Sequence, residues 1–120
     1  MSEIKDKKIR IYNVEADRDL WQNERKVKRY IHDRNGLWAY ARELSEREKF
    51  AAKAAGSEQS IVFKINYNNR VKAGLHLEFG GDTFVIKSVD GFEYYKHDLT
   101  LRAERVKAEV CDHDEYDEAH

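Results

Sequence analysis

The feature that most limits what this chain can fold into is its alternation. Apolar residues repeatedly recur at every second position, the spacing of a strand with one buried face. In Ile61–Asn68, Ile61, Phe63, Ile65 and Tyr67 share one face while Lys64, Asn66 and Asn68 take the other. Leu75, Leu77 and Phe79 repeat the pattern around His76 and Glu78. Gly80-Gly81, with Asp82 behind them, then offer a tight turn, because glycine accepts the positive φ of hairpin loops. Thr83–Val89 sets Phe84 and Ile86 against Val85 and Val89, and Asp90-Gly91 marks a further turn. His97–Arg105 closes the series with Leu99, Leu101 and Ala103 inward. These segments predict a meander of antiparallel strands.

Earlier segments extend it. Lys8–Val14 places Ile9 and Ile11 on one face, with Arg10 and Tyr12 on the other. Leu37–Leu44 follows the turn dipeptide Asn35-Gly36 and carries Trp38 and Tyr40 on one face, as core or interface aromatics. Glu24–His32 reads either as a strand, since Val27 and Ile31 share a parity, or as a mobile arm. About six short strands predict a mainly β fold, a small antiparallel β-barrel or sandwich, because closing a sheet removes the edges that invite aggregation.

One segment departs from alternation. Ser45-Glu46-Arg47-Glu48 is a capping box, in which the serine side chain accepts from the Glu48 amide while Glu48 reaches back. Phe50–Ala55 is alanine-rich, and Gly56 stands where a helix would stop. The prediction is a short helix, Glu46–Ala55, then a flexible stretch to Ser60, together forming a long loop over residues 45–60. A helix this short is marginal by itself and needs a surface to pack against. Residues 1–106 then form a single domain, and residues 107–120 an acidic, disordered tail.

Charge and chemistry narrow the function classes. Lys and Arg total 22 against 23 Asp and Glu, a net charge of -1, whereas a dedicated nucleic-acid binder is usually clearly basic. The charge is unevenly spread: Arg25, Lys26, Lys28 and Arg29 form a basic run, and Glu109–Glu118 holds six acids. Beside Trp21 and Tyr30, that run reads as a solvated hairpin, an inter-subunit contact or a DNA-facing patch. Cys111 is the single cysteine, which excludes an intrachain disulfide and fits a reducing compartment. The histidines lack ligand spacing, and Cys111, Asp112, His113 and Asp114 lie in the acidic tail. No metal, cofactor or catalytic residue is therefore expected, and the chain is not read as an enzyme. The charged start, Met1–Lys8, has no signal-peptide character, and no apolar run suits a membrane span.

Taken as one unit, residues from Leu37 onward resemble the tailed-bacteriophage head–tail joining (head–tail adaptor) family. Leu37-Trp38-Ala39-Tyr40-Ala41-Arg42-Glu43-Leu44-Ser45-Glu46-Arg47-Glu48 is similar to its "W-A … S-G-x-E" segment. Val71–Val89 is similar to its "G-x-x-x-x-x-G-x-x-Y-x-I-x-x-V" stretch, and Asp98–Ala103 and Ile9–Tyr12 to its last and first strands. Glu46 stands where many members have glycine, and Phe84 where tyrosine is usual. The resemblance covers roughly residues 8–106 and leaves the acidic tail outside. It implies a structural virion protein of the neck, assembled in the bacterial host cytoplasm, that joins head to tail. The implied partners are copies of itself in a ring (commonly twelve-fold in the family), portal and adaptor proteins, and a tail completion protein. The implied channel and assembly loop contains Ser45, Glu46, Arg47, Glu48, Lys49, Phe50, Lys53, Ser57, Glu58 and Gln59, and could contact packaged DNA. The alternatives are a small β-barrel that binds nucleic acid through Arg25–Arg29, and a tail-side completion ring protein.

Overall fold

Alternation becomes strand nearly throughout. The computed structural model describes residues 4–18, 20–54, 60–91 and 97–117. In chain order they form β1 (Lys7–Arg18), β2 (Glu24–Tyr30), β3 (Leu37–Glu43), α1 (Glu46–Ala54), β4 (Ser60–Asn66), β5 (His76–Phe79), β6 (Asp82–Asp90), β7 (Asp98–Val106) and β8 (His113–Glu115). The sheet order is β3-β4-β7-β6-β5-β1-β2-β8, and β1 also pairs with β3, so six strands close into a ring. The mainly β, barrel- or sandwich-like expectation holds.

The length of β1 makes both the closure and its extension possible. Lys7–Ile9 pair with Leu37–Ala39 of β3, and Arg10–Tyr12 pair with His76–Glu78 of β5. From Tyr12 to Arg18 the same strand runs against β2, down to the Arg18↔Glu24 pair. The β1–β2 ribbon leaves the strand ring as an arm, and the molecule measures 52 × 34 × 24 Å.

The ring is filled from every strand. Ile9, Ile11, Ala39, Phe63, Leu77, Leu101 and Ala103 are fully buried, and the Phe63 ring meets those of Phe79 and Phe84 edge-on. Gly80 and Gly81 both take positive φ and join Phe79 to its partner Asp82, as the turn residues predict. Gly36 is needed twice over: its φ is +76°, and a Cβ there would lie 2.8 Å from the Ile9 carbonyl oxygen.

Four expectations change. The buried position of β3 is Ala39, flanked by partly buried Leu37 and Ala41, whereas Trp38 is exposed beneath the Lys8 ammonium. Small residues fit there because three phenylalanines already occupy the interior; Trp38 is thus not a core aromatic. Tyr67 lies past the end of β4 and is exposed. A register shift between Ile86 and Ser88 makes Lys87 a bulge, which returns Val89 to the core face beside Phe84 and Ile86. The tail, expected to be disordered, is ordered across its described residues: β8 lies parallel to β2, pairing Val27–Arg29 with His113–Glu115. The described helix covers Glu46–Ala54, and Ala55 and Gly56 lie outside the described residues.

Candidate functional site

The connection between β3 and β4 is the first candidate. The two strands pair out to Glu43↔Ile61, and among the described residues between them α1 lies outside the strand ring. The capping box forms as the sequence requires. The Ser45 N–H donates to Glu48 Oε1 (2.9 Å) and the Glu48 N–H donates to Ser45 Oγ (3.3 Å). Arg42 adds a hydrogen bond from Nη1 to Glu48 Oε1 at 2.7 Å. Its guanidinium, with the Ser45 amide and hydroxyl, holds the Glu48 carboxyl down at about 2.

Beyond this cap the helix stands apart from the core. Glu46, Arg47, Lys49, Phe50 and Lys53 are exposed, Phe50 to 80%. Among the described residues none of α1 enters the buried clusters; Leu44 and Val62 form a small separate one at its foot. Beside that foot lies a cavity of about 300 Å³ lined by Leu44, Lys49, Ile61, Phe84 and Arg105. Ser57, Glu58 and Gln59 lie outside the described residues.

The basic run is the second candidate, and all of it lies on β2. The structure gives each of its cations an acidic neighbour. Lys26 Nζ lies 2.9 Å from Glu109, Lys28 Nζ 3.2 Å from Glu78, and Arg25 3.5 Å from Asp17. Arg29 contacts Glu15 (2.6 Å), Asp17 (3.7 Å) and Glu115. Burial opposes the Lys28 charge, but Glu78 outweighs it and holds the ammonium above its ordinary range. Two of these acids, Glu109 and Glu115, belong to the tail. A phosphate-gripping face needs cations turned to solvent without such partners. These acids offset the charge of Arg25–Arg29 and lower its pull on a phosphate backbone.

The tail completes an aromatic cluster on the outer face of the sheet. Tyr116 stacks on Tyr30 at 4.3 Å between centroids, and its hydroxyl accepts from Arg10 Nη1 at 2.7 Å. Tyr30 donates to Glu78 Oε1 (2.9 Å) and packs against Tyr12, which stacks on His76. Tyr12 therefore lies on the predicted face but is fully buried there, because this cluster covers it. Burial pushes the Cys111 thiol up, away from nucleophilic use. Among the described residues, no group of three or more His, Cys, Asp or Glu is placed to hold a metal ion.

Sequence reasoning used Trp21 only as a neighbour of the basic run and passed over Leu20. Leu20 and Trp21 sit at the tip of the β1–β2 arm, 96% and 82% exposed. An adjacent apolar pair inside a turn between polar strand ends is the signal that marks them.

A family model described as phage head completion protein matches residues 5–106, from just before β1 to the end of β7. No curated protein matches the chain. Among solved structures, the solution structure of protein SF1141 from Shigella flexneri 2a is similar. It has a TM-score of 0.64 and 16% identity, over 82% of this chain and 90% of that one. At that identity the likeness establishes a shared fold.

Proposed function

This chain belongs to the phage head completion protein family, with a structural role on the head side of the particle, and we propose that its copies form a ring that closes the portal channel after packaging. In this reading the strand ring builds the wall of the subunit ring, and residues 45–60 project into the channel. The observation that carries it is the capped but unpacked helix α1, held between paired strands at Glu43 and Ile61. A nine-residue helix with an exposed phenylalanine is marginal alone, so it gains order only from neighbours. Partners on the portal and adaptor side, and a tail completion protein below, follow from the same placement. Head-to-tail packing of identical subunits needs two different complementary patches, which the arm and the body of this elongated molecule offer.

The test replaces residues 45–60 by a short glycine turn joining β3 to β4. The expected result is particles in which the subunit ring still docks by electron microscopy but packaged DNA escapes. Full DNA retention would remove the loop from the closing role.

A further inference from the structure

We propose that residues 112–117 are an exchangeable strand: each copy offers its tail to the β2 edge of a second copy, and the same contacts that hold it in cis hold it in trans. The receiving site is built from β2 and the outer aromatic cluster. Around Lys26 the contact is two-way, the Asp112 N–H donating to the Lys26 carbonyl (2.9 Å) and the Lys26 N–H donating to the Asp112 side chain at Oδ2 (3.0 Å). Its side-chain component is charge and stacking: Arg29 with Glu115, Arg70 with Asp117, and Tyr116 laid on Tyr30. Together these read an extended acidic segment with a tyrosine next to its last acid, and this chain carries such a segment.

Three observations favour exchange over a permanent clasp. β8 is only three residues long, and the ion pairs that tie the tail to β2, Lys26–Glu109 and Arg29–Glu115, lie at the surface, where each holds weakly. The connection Lys107–Val110 is exposed, with Val110 at 89%, so opening it uncovers no core. Release of the tail leaves the β2 edge unpaired and takes Glu109 from Lys26 and Glu115 from Arg29, and an open strand edge takes up another strand. The complementary strand available at equal affinity is the tail of another copy, since cis and trans contacts are identical and swapping is a low-cost route to association. The tail also lies outside the family match, which ends at residue 106. This inference does not depend on the channel-closing reading, because it concerns the isolated chain.

The experiment uses full-length chains in a Cys111→Ser background, with oxidised glutathione as oxidant. Arg29 and Glu115 are register partners, so Arg29→Cys and Glu115→Cys placed in one chain should close an intrachain disulfide. That bond confirms the site and its geometry; its absence would overturn the β2–β8 pairing and the proposal with it. Chains carrying only Arg29→Cys are then mixed at high concentration with chains carrying only Glu115→Cys. Exchange predicts a disulfide-linked heterodimer that needs both variants. If the intrachain bond forms but the mixture yields no heterodimer above either variant alone, the tail stays at home and the proposal fails.

Discussion

At the scale of single residues, His32 is the group whose proton matters most. Its Nε2 accepts the Ile11 N–H at 2.8 Å, and its Nδ1 lies 2.8 Å from the Asp33 carbonyl oxygen. The neutral tautomer with the proton on Nδ1 satisfies both contacts, and a second proton on Nε2 would face the Ile11 amide. Burial holds the imidazole below its ordinary range; the Asp33 carbonyl works against this and Arg10 adds to it. A histidine whose folded pKa is depressed contributes stability that is complete above about 6.5 and is lost as pH falls from there towards the folded value. His32→Gln keeps an acceptor but cannot titrate. Thermal unfolding between pH 7.5 and 5 should therefore depend less on pH in that variant. An unchanged slope would remove His32 from the acid response. His32→Phe should cost about 1–3 kcal/mol near pH 7.5, because the buried Ile11 N–H loses its acceptor.

At the scale of elements, α1 should behave as a local unit. Glu48 is depressed to about 2, so its capping contribution is present above about 4.5 and is lost as pH falls through about 2. Glu48→Gln keeps a capping-box acceptor but removes the charge that faces Arg42, and above about pH 4.5 it should fray the helix by about 0.2–1 kcal/mol. Global thermal unfolding should shift by no more than about 1–2 °C, since the helix adds nothing to the core. Amide exchange across residues 46–54 reads the first effect and calorimetry the second; a large fall in Tm would show that the helix supports the fold. This element was legible in the sequence because a cap is a local code of four residues. The β5–β6 hairpin was legible for the same reason. Of the two readings open for Trp38, the core one fails because size is no guide to burial where Phe63 and Phe84 already fill the interior and Ala39 takes the inward position. The Lys87 bulge has no glycine to announce it. The β2–β8 pairing has no periodicity at all, since it rests on charge complementarity between segments more than 80 residues apart, and composition alone read the tail as disordered.

At the scale of the whole molecule, the strand ring is unevenly closed, and that unevenness sets which part opens first. β4 and β7 pair over Ser60–Asn66, and β7 continues against nearly all of β6 with a single bulge at Lys87, so this body is held by long ladders. The β1–β3 seam that completes the ring has three register pairs, and the arm beyond Val27 leaves the core for solvent. Amides in few buried contacts open with less free energy than those in the central ladders. Native-state hydrogen exchange should therefore rank the arm tip around Arg18 and Glu24 fastest and the β4–β7–β6 body slowest. The β1–β3 seam should fall between them, because Ile9 and Ala39 anchor it with fully buried side chains. Uniform protection across seam and body would mean that the ring opens as one cooperative unit. The graded outcome would instead leave a stable wall with a loosely held arm, tail and loop, the parts that neighbouring subunits would have to order.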